Sequence, residues 1–420
     1  VKRIVIAAIV VALLIGAVLV LRQRRESSER EARAEARFLQ FDDRQISGFV
    51  LTTNGTEWRL ESRGDEWRLV SPVSDAADRD AVMGFLADLR LTPVGRVIED
   101  PESLDAYGLD PAISSVALEG VDLPVAHFGE ATPTGDGVFA RLGDRPEVIV
   151  LEPTLVEAFV ETVRNPIRYR DPSLLDLLRS DVVGIDLAAP AGGVKLAREA
   201  DGWWILEPRR IPASDAQVQR LLQGLEGARV VAYADGGDPS AAEFGLGAGA
   251  IRMEVRTGDA VRVLTLGTDV EGTGARFAGR DDRDTVLAVD AGPLRSLPLG
   301  LDDLVARRLT RVNRYQVARF EYGLGGDRLQ GDREGEQWTV GGAQTEPELV
   351  YGFLVRILEM PVAAWRESRS SGRPIGWLEY ELESGATGRI DFLPGDEARV
   401  SWLPGLNFRL EEEPPPVPEF

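Results

Sequence analysis

Cysteine is absent from this chain, histidine occurs once, at His127, and lysine only at Lys2 and Lys195. Without cysteine there are no disulfides, thiolate metal sites or cysteine nucleophiles, and the redox compartment is left open. One histidine all but removes zinc centres, which recruit several cysteine or histidine ligands. It also makes His127 the sole base available to a Ser-His-Asp arrangement. His127 stands in the strand-like LPVAHFG, and no Gly-x-Ser-x-Gly elbow occurs, so a strand residue with no catalytic role is the better reading. Positive charge is scarce as well: 48 basic against 69 acidic residues give a net charge of −21, the wrong sign for a nucleic-acid partner. The near-exclusive use of Arg as the base reads as a coding bias.

Gly-rich stretches are present but lack nucleotide-loop chemistry. GLGAGA (Gly245 to Ala250) and GLGGDRLQG (Gly323 to Gly331) both miss the GxxxxGK[ST] pattern. The acidic clusters DGGD (Asp235 to Asp238) and DDRD (Asp281 to Asp284) miss the alternating oxygen ligands of a calcium loop and read as solvated loops. We therefore expect no catalytic, cofactor-binding or metal-ligating set. A hydrolase would need clustered carboxylates in a cleft, and no spacing indicates them.

The longest uncharged apolar run is Ile4 to Leu21, 18 residues. At 1.5 Å per residue this is just long enough for a bilayer core of about 30 Å. A cleaved signal peptide has a shorter apolar region followed by small residues, whereas here LRQRR follows, so residues 1–21 are expected to be an uncleaved transmembrane anchor in the lipid bilayer. Residues 22–40 read as a helical stalk, with Glu26–Arg30 and Glu29–Arg33 as i, i+4 pairs and no Gly or Pro. The excess of arginines after the span favours, by the positive-inside count alone, a cytoplasmic body.

The remainder is organised by repetition. Trp67, Pro72, Val82, Leu86 and Val94 recur 136 residues later as Trp203, Pro208, Val218, Leu222 and Val230. A third copy keeps Trp338, Val350, Phe353, Leu354 and Val362. Upstream, ISGFVL (from Ile46), VVGIDL (from Val182) and VARFEY (from Val317) are short and β-branched, each leading through a second strand into the Trp strand. Downstream, Val82-Phe85-Leu86-Leu89, Val218-Leu221-Leu222-Leu225 and Val350-Phe353-Leu354-Ile357 each form one apolar helix stripe. Asp78, Ser214-x-x-Gln217 and Thr345-x-x-Glu348 are the expected helix starts. The recurring tryptophans read as core, not as a binding platform. Tyr107-Gly108-Leu109 and Phe244-Gly245-Leu246 mark a turn, followed by more strand pairs, and copy three shows no such turn.

The expected fold class is α+β: after the transmembrane helix and stalk come three tandem related units, each an antiparallel sheet with one main helix. The units span 41–172, 173–309 and 310–412, the last degenerate, and an acidic Pro-rich tail covers 413–420.

Together, the anchor, the tandem W…P…AD/ASD pattern running into the helix, the YGL/FGL turn and the IRYRDP segment (from Ile167) resemble a bacterial family, "domain of unknown function 4340". Members of that family are membrane-anchored envelope proteins often encoded beside ABC-2-type transporter genes of the gliding-motility type. The resemblance implies a non-enzymatic scaffold or accessory subunit, partnered by ABC-type transporter subunits. It would sit single-pass in the bacterial inner membrane with an extracytoplasmic body, opposite to the charge count. It transfers no functional residues. The alternative expectation is an envelope module binding a lipid or polymer in a groove between repeats.

Overall fold

The computed structural model describes residues 37–64, 66–151, 165–190, 192–367 and 372–420. The anchor at 4–21 and the stalk as far as residue 36 lie outside them. The first sheet takes β1 (Gly48–Thr53), β2 (Thr56–Arg63), β3 (Glu66–Ser71), β4 (Asp75–Ala76), β5 (Val94–Ile98), β6 (Ser114–Glu119), β7 (Ala126–Ala131), β8 (Val138–Leu142) and β9 (Val148–Leu151). Their spatial order is 4-3-2-1-6-7-8-9-5. The second sheet comprises β10 (Gly184–Ala189), β11 (Gly192–Glu199), β12 (Gly202–Glu207), β13 (Ile211–Pro212), β14 (Val230–Ala234), β15 (Ile251–Arg256), β16 (Val261–Val270), β17 (Ala275–Arg280) and β18 (Val286–Asp290). The third comprises β19 (Val317–Leu324), β20 (Asp327–Glu334), β21 (Gln337–Val340), β22 (Ala343–Thr345), β23 (Val362–Glu367), β24 (Gly376–Leu382), β25 (Thr387–Leu393), β26 (Glu397–Val400) and β27 (Leu406–Leu410). Their orders, 13-12-11-10-15-16-17-18-14 and 22-21-20-19-24-25-26-27-23, repeat the first permutation strand for strand. The third copy, degenerate in sequence, is therefore complete in topology.

Four α-helices occur among the described residues: α1 (Arg79–Leu91), α2 (Asp215–Gly227), α3 (Leu301–Leu304) and α4 (Pro347–Leu358). In the first copy, β4 and β5 are opposite edges of one sheet, and α1 is the chain between them. The helix lies against the sheet whose two edges it joins. The apolar stripe explains why it does: Val82, Phe85, Leu86 and Leu89 are all buried, and the Phe85 ring lies 5.1 Å from that of Phe49 on β1. Burying each such side chain is worth about 1.5–3 kcal/mol. Phe320 and Phe353 repeat the contact in the third copy at 6.0 Å. Trp67, Trp203 and Trp338 are 7%, 2% and 0% exposed, which makes them core residues.

The helix starts hold in two copies. The Asp78 carboxylate accepts from the N–H groups of Asp80 and Ala81 at 3.0 and 3.1 Å, and Ser214 Oγ accepts from that of Gln217 at 3.4 Å. In the third copy Thr345 closes β22 instead, and α4 begins at Pro347 after an N-cap Glu346 whose side chain makes no capping bond. Proline at the first helical position has the right φ and no N–H to satisfy. The stalk reading needs a correction too. Residues 37–40 are a bridge and irregular chain, with Arg37 paired to Pro93 and Phe38 and Leu39 buried in the core. The two apolar side chains gain more from that core than from a solvated helix.

The aromatic-Gly-Leu turns are single turns of 3-10 helix, Asp105–Tyr107 and Ala242–Phe244, ended by Gly108 and Gly245 at φ 66° and 62°. Glycine is required there because other residues rarely adopt a left-handed backbone. The preceding aromatics pack edge-on against strand residues, Tyr107 on Phe139 at 4.8 Å and Phe244 on Phe277 at 4.9 Å.

By contact, the chain divides into two compact units. One holds the described residues up to Leu174 with 229–244 and 268–290; the other holds 175–228, 245–267 and 291–420.

Candidate functional site

In the first compact unit, a buried ionic network occupies the place where sequence alone indicated solvated loops. Asp75 on β4 is fully buried. Its carboxylate accepts from Arg170 Nε at 2.7 Å and from Arg283 Nε and Nη2 at 2.6 and 2.7 Å. Arg170 also grips the Asp235 carboxylate through both Nη atoms, at 2.8 and 2.9 Å, and lies 3.6 Å over the Tyr233 ring. Arg283 donates to the Asp171 carbonyl at 2.8 Å, and Arg280 pairs with Asp171 and Asp282. Burial alone would raise the Asp75 carboxyl, but hydrogen bonds and charge from Arg283 and Arg170 outweigh it and hold the group below its usual range. The loops DGGD and DDRD are solvated at Asp235, Asp238, Asp281 and Asp284, as expected, but Arg283 is buried and joins this network together with Asp235, while Asp238 accepts from Ser240 N and Oγ.

The same place in the second copy is apolar. Ala77 bridges Arg170 in one copy as Ala213 bridges Val305 in the other, which aligns Asp75 with Ile211 and Arg170 with Val305. Ile211 and Val305 are 4% and 6% exposed. The same strand-and-join arrangement therefore forms with charged residues in one copy and apolar ones in the other.

The second compact unit carries a groove of about 920 Å³, within the range of drug-sized ligand sites. Its walls come from β12, the start of α2, the segment 306–312, β24 and the turn after β26. Trp204 follows Trp203 on β12, so its side chain leaves by the opposite face. It is nevertheless only 7% exposed. Its Nε1 donates to Asp201 Oδ1 at 2.8 Å, while Arg210 and Arg311 lie 4.3 and 5.5 Å from the ring. Arg311 donates to the carbonyls of Asp201, Trp203 and Ala213, and Asp215 accepts from Trp203 N at 2.8 Å. Opposite, the Tyr380 and Trp402 rings lie 6.3 Å apart. Burial pushes the Tyr380 phenol well above its ordinary range. Gly388 makes room for that ring: a Cβ there would come within 2.2 Å of it.

Chemically this groove offers aromatic walls, hydrogen-bond donors and guanidinium charge, with Arg307 and Arg308 exposed at its rim. It contains no histidine. His127 lies in the other unit on β7, opposite Ser115 and Arg141 in the ladder, and its pKa is lowered by burial and then by Arg141. No cluster of three or more His, Asp or Glu side chains able to hold a metal occurs among the described residues. The sequence reading did not single out the groove, although a signal existed. Trp204 stands where the other copies have Arg68 and Thr339, an apolar residue on the outward phase of a strand.

Fold and groove together define a tandem-repeat α+β protein, three copies of a nine-stranded antiparallel sheet with one main helix joining its edges. The chain belongs to the family described as Domain of unknown function (DUF4340), whose model matches residues 67–243 and again 203–372. The two matches begin at Trp67 and Trp203, the same point of the repeat. A search of curated proteins finds no match.

Proposed function

We propose that this protein is a non-enzymatic, membrane-anchored scaffold or accessory subunit, working by contact within an ABC-type transport complex of the bacterial envelope. The observation that supports it is the groove of the second compact unit. It is built at positions where the copies differ, and its aromatic walls and guanidinium groups suit contact with a partner. The apolar run Ile4 to Leu21 supports a single-pass anchor in the inner membrane, and family resemblance supports an extracytoplasmic body. A reporter fused after the last residue tests that orientation: periplasmic activity is expected, and cytoplasmic activity would reverse it.

The groove also favours a second reading, an envelope module that binds a lipid or polymer between repeats. Native mass spectrometry of the purified chain distinguishes the two. A co-purifying lipid or glycan lost in Trp402→Ala supports the binding module, and a ligand-free chain that retains protein partners supports the scaffold.

A further inference from the structure

In the first copy, Tyr169 closes the helix–sheet core from the join: it is fully buried, with its ring 5.8 Å from Phe49 and 5.5 Å from Phe85. In the second copy the aligned residue is Leu304, also fully buried, at the end of α3, which lies against α2. In the third copy this place is taken by residues 414–420. Pro415 is buried, and its carbonyl accepts from the Tyr322 hydroxyl. The Phe420 ring stands edge-on to Phe353 at 5.9 Å, and Phe353 is the counterpart of Phe85.

Two features set this occupant apart. It has no regular structure, and Phe420 remains 42% exposed where its counterparts are sealed in. The groove is also chemically distinct. Tyr322 replaces Leu51 and Leu187 of the other copies, so its hydroxyl donates to a segment in which four of seven residues are proline and lack an N–H. A proline-rich segment suits this arrangement, since it is pre-extended and brings few N–H groups to bury unsatisfied.

We propose that the third helix–sheet groove is a peptide-binding site for extended, proline-rich segments with an aromatic anchor, and that residues 414–420 are its resident, displaceable occupant. The partner is a protein carrying such a segment. This inference is independent of the groove at Trp204 and of any transporter.

The test uses a labelled peptide of residues 411–420 and the chain lacking 413–420, followed by fluorescence anisotropy. Saturable binding is expected, at least about tenfold tighter than to the intact chain, whose own segment competes at high effective concentration. Phe420→Ala in the peptide and Tyr322→Phe in the chain should each weaken it severalfold. Dimerisation of the intact chain by exchange of the segment would support the site and make a second copy the partner. A shortened chain that keeps its circular dichroism and cooperative melt yet binds no peptide overturns the proposal, as does equal binding of the anchorless peptide. Should the shortened chain not fold, the intact chain with Phe420→Ala replaces it: peptide affinity must rise about tenfold above that of the unaltered chain, and no change overturns the proposal.

Discussion

Asp75 holds two guanidinium groups in the interior, and removing its charge takes the carboxylate from the buried Arg283 and leaves Arg170 with Asp235 alone. Asp75→Asn should cost about 3–5 kcal/mol at neutral pH, measured from denaturant midpoints. The folded carboxyl titrates below its ordinary value of 3.8. Its contribution is therefore present above that value and lost as pH falls through it toward the lower folded one, so the gap between Asp75→Asn and the unaltered chain should close only in acid. The second copy gives a sharper expectation. Because Ile211 and Val305 fill the aligned positions, the combined replacement Asp75→Ile, Arg170→Val and Arg283→Leu should fall within about 2 kcal/mol of the original, far less than the single change. None of this was legible in the sequence. Asp75 and Arg283 are 208 positions apart, and charge pairing carries no periodicity to betray it. The tryptophans and the helix stripes were legible, because burial repeats with the period of the element and three copies of one pattern separate core from surface.

At the scale of the element, each helix is set by its ends and its stripe. Asp78→Ala should cost about 1 kcal/mol in thermal or chemical unfolding, since two N–H groups lose their acceptor. Glu346→Ala should cost almost nothing, because that N-cap makes no side-chain bond. Gly388→Ala must displace the Tyr380 ring, at a cost of about 1–3 kcal/mol in the same assay, with loss of the groove wall. In the third copy the alternation of WLEYELES, TGRIDFL and EARVSWL is that of strands, and these segments form β24, β25 and β26. Unreadable was the fate of Phe38 and Leu39, whose helical surroundings in sequence yield to the core that lies beside them in space. Trp204 was visible as a letter, but its role depends on segment 306–312 and β24, more than a hundred residues on.

For the whole molecule, one sheet permutation occurs three times, and the differences between copies fall at joins and grooves, not in the folding pattern. A chain built this way varies its contacts while keeping its frame, which fits a scaffold better than a site refined around one reaction. The measurement that tests this most directly is quantitative mass spectrometry of what remains with the tagged chain after gentle extraction of native membranes, run beside a Trp204→Ala, Trp402→Ala variant. The scaffold reading predicts a transporter subunit of the ABC type recovered in stoichiometric amount with the unaltered chain and depleted with the variant. Recovery of the chain alone, with no membrane protein enriched over an untagged control, would contradict it.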